Sequence, residues 1–163
     1  MPFVGSDGAS YDSIMARFPD LQFYDYTKNP GRAVTNAMGF HPANYHLTFS
    51  RSETNERQCL DVLAAGGNVA VVFSTATKSG KRPAEALPAD WHGYRVVDGD
   101  KDDLRFLDPR GVVVGLRAKG RAKHDTSGFV VQVAAASRRA HDALVVRVIP
   151  TVPPQRVAHS LAQ

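Results

Sequence analysis

The sequence predicts an α/β protein of one domain, with a parallel sheet and βαβ units in its N-terminal half and an antiparallel hairpin in its C-terminal half. Three observations predict it. Residues 44 to 74 read as strand, helix and strand in succession, an order that gives two parallel neighbours joined by a right-handed crossover. Beyond residue 74, strand-like runs recur with turn residues between them, which favours antiparallel pairing. A chain of 163 residues with 43% hydrophobic content suffices for one ordinary core and not for two.

The elements follow in order. Phe3 to Asp7 reads as a short buried strand, and Tyr11, Ile14, Met15 and Phe18 recur at helical spacing until Pro19 breaks the pattern, giving a first βα unit. Leu21 to Thr27 is rich in aromatics with alternating polarity, a strand closed by the turn-forming Asn29-Pro30-Gly31. A long irregular loop runs from there to about Ala43. Asn44 to Phe49 forms the next strand, and Ser50 with Glu53 supplies a capping box for a helix that Gly66-Gly67 terminates. Asn68 to Ser74 is a buried strand. Thr75 to Asp90, with Ser79-Gly80-Lys81-Arg82-Pro83 and Pro88, has the composition of an exposed loop. Strands resume at Tyr94 to Asp98, Gly111 to Ala122, Gly128 to Ala135 and Leu144 to Ile149, with His124 to Ser127 as a hairpin turn. Pro150, Pro153 and Pro154 end the ordered fold, so the domain spans residues 1 to 150 and residues 151 to 163 form a flexible tail.

Charge is unevenly spread. Residues 1 to 108 carry 11 Lys or Arg against 14 Asp or Glu, whereas residues 109 to 163 carry 9 against 2. The C-terminal third is thus at +7 and the rest at −3, which fits an anionic partner. A single cysteine, Cys59, excludes an intramolecular disulfide and any multi-cysteine metal site, and it agrees with a reducing cytoplasm. No signal peptide and no membrane-length apolar run is visible.

Parallel α/β sheets bind ligands at the C-terminal ends of their strands. Here those ends are polar: Ser6 and Asp7, then Asp25, Thr27 and Lys28, then Thr48, Ser50 and Arg51, then Ser74 and Thr75, then Asp98 and Asp100. Converging, they would line a concave site with carboxylates, hydroxyls and cations. The bland explanation is that strands end in polar residues wherever loops begin.

Residues 98 to 123 place five aspartates in eleven residues ahead of an alternating basic run. Asp98, Asp100 and Asp102 have the spacing of a calcium loop, but Gly99 is misplaced and the twelfth position is Pro109, which excludes an EF-hand. Asp98 and Asp100 remain candidates for magnesium held with substrate phosphates, against a solvated turn whose aspartates bond their own backbone. If residues 117 to 123 are extended, Arg117, Lys119, Arg121 and Lys123 share one face. That stripe suits a phosphate backbone, or an edge strand protected from aggregation.

Nucleophiles are scarce. Cys59 lies mid-helix beside Leu60 and Leu63, which predicts a buried structural thiol. His124-Asp125-Thr126-Ser127 holds the residue types of a hydrolase constellation, but sequence neighbours rarely have triad geometry, and turn chemistry explains the string.

The strings Phe23-Tyr24-Asp25-Tyr26-Thr27-Lys28, Asn44-Tyr45-His46-Leu47-Thr48-Phe49-Ser50, Asn68-Val69-Ala70-Val71-Val72-Phe73 and Asp103-Leu104-Arg105-Phe106-Leu107-Asp108-Pro109 resemble a family of uncharacterised proteins encoded by tailed bacteriophages and prophages. The resemblance covers roughly residues 3 to 133 and implies a phage setting, with the host cytoplasm as compartment. It carries no activity. More distantly, the Tyr26-Thr27-Lys28 strand end with the following strand and helix looks like the second half of partial barrels related to radical-SAM proteins, which implies a half-barrel sheet. The half that would hold iron and sulfur is missing, and Cys59 alone supports no such cluster.

Two classes of function follow. In the first, the chain binds a nucleic acid or nucleotide through Asp7, Asp25, Lys28, Arg51, Arg117, Lys119, Arg121 and Lys123, and magnesium at Asp98 and Asp100 would extend it to hydrolysis. In the second, it is a non-catalytic protein acting on a host complex, as a counter-defence or host-takeover factor.

Overall fold

In the computed structural model, which describes residues 2 to 74 and 87 to 133, the chain opens on an antiparallel ribbon rather than a βα unit. β1 (Phe3–Val4) pairs with β2 (Ser10–Tyr11) because the glycines between them turn the chain back: Gly8 holds φ +76, and the Gly5 N–H donates to the Ala9 carbonyl at 2.8 Å. The helical spacing of Tyr11 to Phe18 contracts to one turn, α1 (Ile14–Arg17). Ser13 Oγ caps it by accepting from the Ala16 N–H at 3.2 Å.

Two βαβ units follow. β3 (Phe23–Thr27), α2 (Pro30–Ala37), β4 (Tyr45–Ser50), α3 (Glu56–Ala64) and β5 (Asn68–Ser74) place three parallel strands side by side. α2 occupies part of the expected loop. Asn29-Pro30 starts this helix: Asn29 Oδ1 accepts from the Arg32 N–H at 3.1 Å, and Pro30 fills a first-turn position where its missing N–H is harmless. α3 begins six residues past Ser50, which is the last residue of β4, so the capping box does not form. Asn55 instead braces the loop, accepting from the Ser52 N–H at 2.7 Å and donating to the Ser50 carbonyl at 3.0 Å. Gly66, at φ +82, closes the helix as its composition predicts.

The antiparallel hairpin of the C-terminal half is β6 (Asp90–Trp91) with β7 (Tyr94–Asp98), turned by His92 and Gly93 at φ 52 and 80. It is not the one expected between residues 111–122 and 128–135. β8 (Val113–Arg117) inserts between β5 and β7, parallel to both, because Val112-Val113-Val114 is apolar throughout and is buried on both faces. The strand stops at Arg117 and a 3-10 turn follows over Gly120–His124. β9 (Val131–Gln132) then pairs parallel with β5 at Phe73 and Ser74. Since Arg117 already pairs with Phe73 on the β8 side, β9 continues the sheet on the side where β4 has ended.

Among the described residues the result is a mostly parallel seven-stranded sheet in the order β3-β4-β5-β8-β7-β6, with β9 beside β5 and no closed barrel. Phe49, Val69, Val71, Phe73 and Val113 face Ala33 of α2 and Cys59, Val62 and Leu63 of α3, forming the core. The expected strand at Leu144 to Ile149, most of the loop from Thr75 to Asp90 and the tail 151–163 lie outside the described residues.

Candidate functional site

At the C-terminal edge of the sheet the acidic and basic halves of residues 98–123 meet. β7 and β8 are parallel neighbours in a register that sets Asp98 against Gly115, two residues before Arg117. Arg117 Nη1 and Nη2 donate to Asp98 Oδ1 and Oδ2 at 2.8 and 3.0 Å, and Nη1 also reaches Asp100 Oδ2 at 3.0 Å. Lys119 Nζ donates to Asp100 Oδ1 at 2.8 Å. The Arg117 backbone N–H adds a bond to Asp100 Oδ2 at 3.0 Å.

The charges tune one another. Hydrogen bonds from Arg117 hold the Asp98 carboxyl below its ordinary range. Burial pushes Asp100 up, but Lys119 and Arg117 outweigh it and the net direction is down. Asp98, against the opposing effect of burial, and then Asp100 raise Arg117. All four carboxylate oxygens are thus engaged by protein cations. Among the described residues no group of three His, Cys, Asp or Glu side chains is placed to hold a metal ion.

The even stripe of four cations does not exist, because residues 117 to 123 are not one strand. Gly120, at φ +54, starts the 3-10 turn and ends the alternation. Arg117 points into the acidic pair, Lys119 borders it with its side chain 74% exposed, and Arg121 and Lys123 stand exposed on the turn beyond. Lys28 is exposed at the end of β3.

Three other predicted site residues have partners within the protein. Asp7 sits on the separate β1–β2 ribbon, where it accepts from Tyr11 Oη at 2.7 Å and pairs with Arg17 at 3.0 Å. Asp25 faces Arg32 of α2 at 3.7 Å and Tyr45 at 3.5 Å. Arg51 is buried and donates through Nη1 to the Gly128 and Phe129 carbonyls, each at 2.9 Å, fixing the approach to β9. Its Nη2 lies 3.3 Å from Glu56 Oε2, and Glu56 Oε1 lies 3.0 Å from His92 Nε2. Glu56 and His92 escape a sequence reading because 36 residues separate them.

The ends of β3, β4, β5, β7 and β8 form the rim at the C-terminal edge of the sheet. A cavity of about 340 Å³ lies on the opposite edge, below β4 and β5, where His41, His46, Asn68 and Arg110 line it. Cys59 is fully buried in α3 with its thiol pushed up to about 11, chiefly by burial, which suits a structural thiol. No helix among the described residues is long and apolar enough to cross a membrane.

Comparison with curated proteins and with solved structures gave no match. A family model described as Gene product 88 matches residues 4–133, the stretch from β1 to just past β9 that carries the sheet and both of its edges. The chain belongs to the Gene product 88 family.

Proposed function

We propose that the chain binds a phosphate-bearing ligand, a nucleic acid or nucleotide, on the cationic rim at the C-terminal edge of its sheet, in a phage setting within the host cytoplasm. One observation carries this reading: Lys119, Arg121 and Lys123 follow β8 directly and are exposed together on that edge. Of the four cations from Arg117 to Lys123, Arg117 and Lys119 pair with Asp98 and Asp100, and Arg121 and Lys123 add a charge of +2 outside that pairing. Lys28 adds to it at the end of β3. Phosphate contact falls to Lys28, Lys119, Arg121 and Lys123, while Arg117 and Arg51 position the segments that bear them. Magnesium chemistry at Asp98 and Asp100 is not part of the proposal, because a cation there would have to displace Arg117 and Lys119. A distant likeness to radical-SAM partial barrels would also put a ligand at these strand ends, though one buried cysteine, Cys59, does not supply the thiolates of a cluster. Undetectable binding of DNA and RNA at low salt would sink this reading.

A second reading has its own support. β3 is an outer strand of the described sheet, and Tyr24 and Tyr26 on it are exposed, as are Leu104 and Leu107 on either side of Phe106, whose ring packs against Tyr24. That surface suits a protein partner, as expected of a factor acting on a host complex. Recovery from host extract separates the two. A stoichiometric protein that survives nuclease and high salt supports the interaction protein, whereas recovery only together with nucleic acid supports the rim.

A further inference from the structure

β4 begins earlier than β5. Their register starts at Thr48 against Asn68, so Tyr45, His46 and Leu47 have β3 on one side and, among the described residues, no strand on the other. Asn36, at the end of α2, fills part of that gap as a strand would: Nδ2 donates to the Tyr45 carbonyl at 2.9 Å and Oδ1 accepts from the Leu47 N–H at 3.1 Å. What remains is the cavity of about 340 Å³, bounded by the Gly66-Gly67 turn and Phe106. Its volume is within the range of small-molecule sites.

The lining has one chemical bias. It includes Arg110, His41 and His46 and, among the described residues, no aspartate or glutamate. Asn68 on its wall is only 2% exposed; Oδ1 accepts from the Val112 N–H at 3.2 Å, and Nδ2 has no partner. His41 Nδ1 is buried without a partner as well. Native proteins pair nearly all such atoms, so a buried amide donor without an acceptor on a cavity wall points to an acceptor from outside. Arg110 donates to the Ala37 carbonyl, and part of its charge answers the C-terminus of α2. That account does not reach Asn68, which is uncharged and belongs to β5. Burial, with Arg105 and Arg110 nearby, holds the His46 imidazole below its ordinary range and leaves it neutral at pH 7.

We infer that this notch binds a small oxyanion-bearing molecule, a phosphate or a carboxylate, whose oxygen accepts from Asn68 Nδ2 and whose charge faces Arg110. The site is separate from the rim and does not depend on it. The test is an NMR titration of the full chain with inorganic phosphate, benzoate and adenosine monophosphate, read at the Asn68 side-chain amide. A saturable shift with at least one probe is expected, weakened about tenfold in Arg110→Gln and unchanged in Arg121→Ala with Lys123→Ala. Phosphate or the nucleotide alone identifies a phosphate group, and benzoate alone a carboxylate. Asn68→Asp keeps the acceptor for the Val112 N–H, removes the donor and adds a charge, so in that variant, followed at the backbone amide of Leu47 on the same cavity wall, the ligand-induced shift seen in the native chain should be lost. No shift with any probe up to about 10 mM, or a shift that is the same in Arg110→Gln, overturns the inference.

Discussion

Replacing Arg117 by methionine leaves Asp98 and Asp100 without their shared cation, and the loss should appear in stability rather than in ligand affinity. The substitution removes the side-chain hydrogen bonds of 2.8 to 3.0 Å that Arg117 makes to Asp98 and Asp100. The side chains involved are 22%, 27% and 16% exposed for Arg117, Asp98 and Asp100. A fully exposed pair is worth about 0.2–1 kcal/mol, and removing one partner of a fully buried pair costs about 3–5 kcal/mol. With the three side chains mostly covered but wet at the edge, the loss should be about 2–3 kcal/mol at pH 7. Both carboxyls lie below their unfolded value of 3.8 in the folded chain, Asp98 chiefly through Arg117, and Asp100 through Lys119 and Arg117 against the upward push of burial. Their contribution is therefore complete above about pH 4 and is lost as pH falls through the folded values. The difference between the native chain and the Arg117→Met variant should be full at pH 7 and shrink below about pH 4. Urea unfolding followed by the fluorescence of Trp91, the single tryptophan and a buried one, measures it. A difference under about 0.5 kcal/mol at pH 7, or one that persists unchanged at pH 3, refutes the reasoning.

Three further outcomes are expected. Asn36→Ala strands the Tyr45 carbonyl and the Leu47 N–H at the start of β4; it should cost about 1–3 kcal/mol in urea unfolding and speed hydrogen exchange at Leu47. Gly99→Ala sets a Cβ 2.4 Å from Val114 Cγ1 and 2.9 Å from Arg105 Nη1, an overpacking that should cost about 1–3 kcal/mol by the same assay. Cys59, fully buried and with its thiol near 11, should react with a thiol reagent at pH 8 only as fast as the chain opens; a rapid stoichiometric reaction in the native state contradicts that.

The strands most legible in the sequence were those whose apolar runs leave no other option. β4, β5 and β7 lie within a residue of where alternation and burial put them, since each supplies side chains that must be covered. α2 was hidden because Asn29-Pro30 is equally a turn signal and a helix start, and only the packing of Ala33 and Ala37 decides between them. The basic segment misled for a related reason. Its period of two is a strand signal, yet β8 stops at Arg117, Gly120 adopts a left-handed φ that starts a 3-10 turn, and Arg121 and Lys123 are left to solvent while Arg117 and Lys119 turn to the acidic pair. That Arg117 and Lys119 pair with Asp98 and Asp100 follows from the β7–β8 register, a tertiary fact with no local signature. Asp7 left the predicted strand-end cluster because Gly8 folds β1 back on β2 before it can join the main sheet.

The central claim is that the exposed cations beyond β8 contact phosphate while the buried ones hold the edge in shape. The affinity of a short fluorescent single-stranded oligonucleotide, measured over a salt series from about 25 to 200 mM, tests it most directly. Binding should weaken log-linearly with salt, and Arg121→Ala with Lys123→Ala should lower both the affinity and the slope, by about 1–2, with the urea midpoint unchanged. Binding with the same slope in the double variant, or no binding at the lowest salt, would contradict the account.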